Sequence, residues 1–167
     1  MSSDARSAHY APLMTDERNA AQYAAAIAEA RQRLISFAGG CSDGDWNASP
    51  LDGDPRPVGV VVDHVAHSYE YIADWLRQIL AGQAVEVSSD IVDDLNAAHA
   101  QDAGQVSRAA AIEHLGRSGD PLIALVAGLD PAQLDADEGR VRRFARIAIR
   151  HADDHRAEIE AGLAQPG

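Results

Sequence analysis

Apolar residues recur at helical spacing in four regions of this chain. In the first region they lie three or four positions apart and predict a helix over about residues 16–38. Thr15 is placed to cap its start, and Gly39 with Gly40 is placed to close its end. A second apolar stripe predicts another helix over about residues 57–82.

The second half of the chain continues this pattern. Ser89 and Ser107 can cap two segments of a third helical region, in which Pro121 predicts an interruption. A last stripe predicts a helix over about residues 140–163, and residues 39–57, rich in Gly, Pro, Asp and Ser, predict a long loop. We therefore expect an all-α fold, an antiparallel up-and-down four-helix bundle with a long loop between helices one and two.

Composition narrows the function classes. The 167 residues suit one domain, predicted over residues 15–167 behind a flexible arm at 1–14. All 14 cationic side chains are Arg, which excludes lysine Schiff bases and the P-loop lysine, and a net charge of -12 disfavours nucleic acid. Cys41 is the single cysteine, and apolar runs are short, so we expect a cytoplasmic protein with no membrane span.

Three histidines carry the candidate chemistry. His151 and His155 stand four residues apart on one helix face, the separation at which two imidazoles can share one cation. His64 borders the buried stripe of the second helix. Together they could hold a divalent ion, zinc or nickel, with open coordination positions. The alternative is three hydrogen-bonded histidines in a polar layer.

Other polar residues receive lesser roles. His67 falls on the opposite side from the apolar stripe and is expected, with Asp63 and Glu70, to face solvent. It is therefore assigned to the surface or to the surroundings of the metal ligands. Cys41 lies in a Gly-rich loop with no neighbouring His or Arg to lower the pKa of its thiol, so it is not expected to act in catalysis.

Two segments carry a family resemblance. PVGVVVDHVAHSYEYI and, much later, IAIRHADDHRAEI resemble the DinB-like, YfiT-like metalloprotein superfamily, and the GLDPAQLD turn extends the likeness. The resemblance implies a four-helix bundle domain, commonly dimeric, whose divalent metal site falls on His64, His151 and His155. The chain departs from the family pattern where a Trp-Ser or Trp-Thr pair usually opens the second helix, because Arg56 and Pro57 stand there.

The resemblance also implies a choice of activities. Characterised members are similar to thiol transferases and isomerases that use mycothiol or bacillithiol, and some resemble hydrolases. We expect transfer of such a thiol cosubstrate to an electrophilic small molecule that enters beside the long loop around Trp46. Hydrolysis by a metal-bound water, and a bundle that only binds a metal, ligand or partner, remain alternatives. A homodimer is expected through Trp75, Leu76 and Leu80. No catalytic residue is assigned beyond the metal centre.

Overall fold

The computed structural model describes residues 17–165, which contain helices and no strand. The predicted arm at 1–14 and Thr15 lie outside this range. The all-α prediction is confirmed. The helices, in chain order, are α1 (Ala20–Gly40), α2 (Asp43–Asn47), α3 (Val58–Leu80), α4 (Ser89–Ala103), α5 (Arg108–Ala127), α6 (Pro131–Leu134) and α7 (Ala136–Leu163).

Both ends of α1 differ from the prediction. Asn19 caps the helix, since its side chain accepts from the Gln22 amide while the Gln22 side chain accepts from the Asn19 amide, each at 2.9 Å. This reciprocal pair satisfies two amides that would otherwise lack partners. At the other end Gly39 and Gly40 belong to the helix, and Cys41 is the residue that leaves it.

The start of the regular part of the last helix agrees with the prediction. Although α7 extends from Ala136, Asp137 and Glu138 have φ of 51° and 53°, and Gly139 has φ of 79°. These left-handed conformations interrupt the helical path. The regular part of α7 therefore begins at Arg140, where the sequence pattern placed it.

Polar contacts show the directions of the first and last helices. Arg33 forms a two-pronged ion pair with Asp153, at 2.9 and 2.7 Å. Toward the start of both helices, Arg142 donates to the Arg18 carbonyl oxygen at 2.7 Å. Because early residues meet early residues and later ones meet later ones, α1 and α7 run in the same direction.

A second pair of helices, α3 and α5, is also parallel. Trp46 packs against Gly59 at the start of α3 and donates from Nε1 to the Val106 carbonyl just before α5. Asp63 then contacts His114, one turn or more into each helix.

His64 early in α3 meets His151 of α7, whereas Trp75 late in α3 meets Phe144 near the start of α7, so these two helices run in opposite directions. The predicted up-and-down order is therefore corrected: α1 and α7 point one way, α3 and α5 the other, and α4 is the crossover between the two.

The composition of α4 explains its place outside the bundle. Ser88, rather than the predicted Ser89, caps it through a hydrogen bond to the Ile91 amide. Its residues are mostly exposed, and His99 is buried. Because α4 has so little apolar surface to bury, it does not form part of the core. It lies outside the long helices and packs chiefly against α3.

The predicted interruption at Pro121 is wrong, because α5 continues through it. A proline removes one intrahelical hydrogen bond, and the buried Leu122 and Val126 hold the following turn against the core. The break falls earlier, at Gly104 with φ of 29°, before Ser107 caps α5 as predicted. Within residues 17–165, no helix has both the length and the apolar character that crossing a bilayer requires.

Candidate metal centre

The structure brings His64, His151 and His155 together between α3 and α7. Each can offer one ring nitrogen, and these nitrogens lie within 4.8 Å of one another. The Nε2 atoms of His64 and His151 are 2.9 Å apart. His64 is buried and the other two are half-buried. Three neutral donors from two adjacent helices thus converge on one point, as the sequence spacing predicted; below they are called the histidine trio.

Burial keeps the trio neutral at physiological pH. It lowers the pKa of His64 to about 2 and that of His151 to about 4, with neighbouring imidazoles adding to the effect. The pKa of His155 is also lowered by burial. Because a metal ion binds the unprotonated imidazole nitrogen, this environment favours the ligand form of all three rings.

Glu158 fixes the orientation of one ring. Its carboxylate lies 3.2 Å from Nδ1 of His155. A carboxylate can only accept, so Nδ1 carries the proton and Nε2 keeps its lone pair. Donation of the distal ring nitrogen to a carboxylate is the usual support of a metal-binding histidine.

The donor set fits a divalent ion better than it fits a polar layer of histidines. In a polar layer one hydrogen bond can join the facing Nε2 atoms of His64 and His151, and it uses the lone pair of only one of them. Nitrogens bound to one tetrahedral zinc ion stand about 3.3 Å apart, which lies between the 2.9 Å of the His64–His151 pair and the 4.8 Å within which all three nitrogens fall. One ion would use a lone pair from each ring.

The charge next to the trio is balanced. Arg56 lies close enough to lower the pKa of all three histidines. It also forms a fork with Asp54, with Nη2 to Oδ2 at 2.7 Å, and this contact lowers the pKa of the Asp54 carboxyl. The departure from the family pattern at Arg56 therefore places an ion pair, not an isolated cation, beside the candidate site.

The segment predicted as one long loop contains the short helix α2, and the part of it that reaches the trio lies after Trp46. Trp46 is buried, 5% exposed, and a Cβ at Gly59 would lie 2.7 Å from its ring. It therefore closes the core instead of lining an entrance. A cavity of about 460 Å³ at His155 is bounded by loop residues Asp52 and Asp54. The segment around Trp46 that was predicted to bound the mouth does border this cavity, but Trp46 itself does not line it.

A second polar cluster on the other side of His64 was not predicted from the sequence. Asp63 accepts from Nε2 of His99 at 2.8 Å and from Nδ1 of His114 at 2.7 Å. Nε2 of His114 also lies 3.1 Å from a Glu70 oxygen. We call these four residues the Asp63 cluster. The prediction that Asp63 faces solvent is wrong, because α4 and α5 cover it and leave the residue 8% exposed.

His67 lies at the edge of the Asp63 cluster and outside the histidine trio. Its Nδ1 is 3.2 Å from Glu70, and its ring stacks on His99 with centroids 5.1 Å apart. Its side chain is 33% exposed, in agreement with the expected surface position. The available sequence signal for this cluster was a histidine on each of α4 and α5, and only the crossover topology shows that they meet Asp63.

The Asp63 cluster predicts a pH-dependent stability. Contacts with Asp63 and then Glu70 raise the pKa of His114 above its ordinary value of 6.5. The stabilisation is therefore complete below that value and lost as the pH rises through the raised pKa. We expect His114→Gln to lose more free energy of unfolding at about pH 5.5 than at about pH 9, measured by urea unfolding of metal-free protein. His67→Gln, which removes a contact with Glu70 but none with Asp63, is the control; an equal loss at both pH values for His114→Gln would contradict the prediction.

The fold and the site together define an all-helical protein with a three-histidine cluster suited to a divalent ion. A family model described as the DinB superfamily matches residues 26–159. The chain therefore belongs to the DinB superfamily. No curated protein and no solved structure matches it.

Proposed function

We propose that this protein is a divalent-metal-dependent enzyme that transfers a low-molecular-weight thiol, of the mycothiol or bacillithiol type, to an electrophilic small molecule. The observation that carries the proposal is the histidine trio, in which His64 is buried, His151 and His155 are half-buried, and Glu158 supports His155. His64, His151 and His155 would hold the ion, and zinc or nickel suits three imidazole nitrogens. The ion would supply a lowered pKa for a bound thiol or water, and thus a nucleophile at neutral pH.

The nucleophile has to come from outside the chain. Cys41 is 8% exposed, its thiol contacts the Phe37 carbonyl at 3.4 Å, and burial raises its pKa. Such a thiol has little thiolate at neutral pH. In the proposed reaction the cosubstrate thiol loses its proton, a carbon–sulfur bond forms, and the leaving group departs with the electron pair of the broken bond.

Two further assignments belong to this proposal. A reducing cytoplasm suits both a free cysteine and a thiol cosubstrate. A homodimer through α3 remains a proposal too, but without Leu76, which is fully buried in the core, whereas Trp75 and Leu80 are half-buried.

Metal dependence is tested first with untagged protein. We expect elemental analysis to find about one zinc or nickel ion per chain, and chelation to abolish conjugation of thiol to an electrophile until the ion is restored. Cys41→Ser should leave turnover nearly unchanged, because that thiol is not the nucleophile. Full activity of the metal-free protein would refute the proposal.

The same assays separate the alternatives. If water replaces the thiol in the product, the protein is a metal-dependent hydrolase. If the ion binds in a stoichiometric amount but neither product forms over a broad set of electrophiles, the bundle is a binding protein. Each of these outcomes replaces thiol transfer as the function.

A further inference from the structure

A second cavity reaches the histidine trio at His151, and no residue of the segment between α1 and α3 lines it. It has a volume of about 240 Å³ and lies between α3, α4 and α7. His151 stands at one end of it, so the space adjoins the candidate metal centre directly. We call it the Trp75 cavity, after the indole that lines it together with Tyr71, Val92, Phe144 and Ile147.

The lining of the Trp75 cavity is apolar and aromatic. Its rings are in mutual contact, with centroids 5.0 Å apart for Tyr71 and Trp75 and 5.4 Å apart for Trp75 and Phe144. Burial raises the pKa of Tyr71 to about 12, so its phenol is uncharged. The Ser68 hydroxyl is already used, because it donates to the Val65 carbonyl at 2.7 Å. Among the described residues that line this cavity, none is Asp, Glu or Arg.

The two cavities at the trio therefore differ in chemistry. The one at His155 is bounded by Asp52, Asp54 and Glu158, whereas the Trp75 cavity offers apolar surface. An uncharged apolar group gains free energy on leaving water for such a surface, and a charged group loses its hydration there. The cavity at His155 therefore suits polar or charged parts of the reactants, and the Trp75 cavity suits uncharged apolar parts.

The size of the Trp75 cavity limits its occupant. Sites that enclose a whole drug-sized ligand have volumes of about 300–1,000 Å³. A cavity of about 240 Å³ is smaller and suits one aromatic ring or a short branched alkyl group. It is too small for a helix of a partner protein, whose diameter with side chains is about 10 Å.

We propose that the Trp75 cavity binds an uncharged aromatic or branched alkyl group of the electrophilic substrate and directs the adjoining reactive carbon toward His151. That the occupant is a substrate rests on the proposed function. That the cavity binds an apolar group rests on the geometry of the cavity alone. The substrate class is therefore an electrophile with an apolar substituent on one side of its reacting carbon.

Binding is tested without turnover. The probe is 4-nitrotoluene, an unreactive ring that quenches indole fluorescence, and 4-nitrobenzoate is its charged counterpart. With two tryptophans in the chain, Trp46→Phe leaves Trp75 as the reporter. We expect saturable quenching by 4-nitrotoluene and at least about 10-fold weaker binding of 4-nitrobenzoate. Calorimetric titration of the unsubstituted protein gives the same comparison if Trp46→Phe does not fold.

Two neighbouring positions on α4 provide a matched pair of variants. Val92 lines the cavity, whereas Ile91 is 38% exposed and does not. We expect Val92→Phe to weaken 4-nitrotoluene binding at least about 10-fold and Ile91→Phe to leave it unchanged, with the metal content of both equal to that of the parent protein. Equal binding by both variants, or equal binding of the charged and uncharged rings, would overturn the proposal.

Kinetics then separate this proposal from the proposed function. With benzyl chloride, where the thiol sulfur bonds to the carbon that adjoins the ring and chloride leaves, Val92→Phe should raise KM, whereas iodoacetamide, which has no ring, should show no change. Probe binding that Val92→Phe blocks, without turnover of any electrophile, supports the cavity and contradicts the enzyme. Turnover with a KM that Val92→Phe leaves unchanged contradicts the proposed role of the cavity but not the proposed function.

Oligomeric state is a separate test of the cavity. Loss of probe binding as the protein dimerises, measured by sedimentation, would assign this surface to a second copy and overturn the proposal.

Discussion

Replacing His155 with alanine should lower the affinity for the divalent ion by more than about 100-fold, because loss of a direct ligand exceeds the 10–100-fold cost of losing a supporting partner. The two remaining nitrogens, on His64 and His151, lie on different helices and cannot close the site alone. Turnover should be lost with the ion. The measurement is metal content after dialysis, followed by competition against a chromophoric chelator.

Controls for this experiment lie close by in the chain. His67→Ala removes a half-exposed imidazole outside the trio and should leave metal affinity unchanged. Glu158→Gln removes the carboxylate that orients His155 and should give an intermediate loss. If His155→Ala keeps a full equivalent of metal while its helical circular dichroism is unchanged, the trio is not the metal centre.

Replacing Asp63 with asparagine should have the largest effect on stability, a loss of about 3 kcal/mol in the free energy of unfolding. Asp63 accepts from both His114 and His99. Burial raises the pKa of its carboxyl, but the two imidazoles outweigh burial and lower that pKa strongly. Asparagine has one accepting oxygen, so its NH₂ group would face an N–H donor. Urea unfolding of metal-free protein measures the change.

Asp74→Asn is the matched control, on the same helix. Asp74 is exposed and pairs with Arg77 at 2.7 Å. Exposed pairs of this kind contribute about 0.5 kcal/mol or less. Similar losses for both variants would mean that burial of Asp63 contributes nothing, contrary to the prediction.

The histidine trio was predictable because its members lie on two strongly periodic helices. His151 and His155 share a face by spacing alone, and His64 lies beside the apolar stripe of its helix. The period of a helix fixes which side chains point inward before any partner is known. The same reasoning also predicted the core stripes and the start of the regular part of α7.

The Asp63 cluster and the topology were missed for a common reason. A helix pattern shows which face is apolar but not how many neighbours cover the polar face. Because α4 carries the chain back across the bundle, α3 and α5 are parallel, and both α4 and α5 cover Asp63. Both errors follow from treating α4 and α5 as one helical region interrupted at Pro121.

The position of α4 outside the bundle has a kinetic consequence. Because α4 packs chiefly against α3 and ends at Gly104, it can detach without disrupting the four long helices. Its backbone amides should therefore exchange with solvent deuterium earlier than those of α3. Val92 and His99 travel with it, so the frequency of this local opening would set how fast an apolar molecule enters and leaves beside Trp75, independently of how tightly it is held.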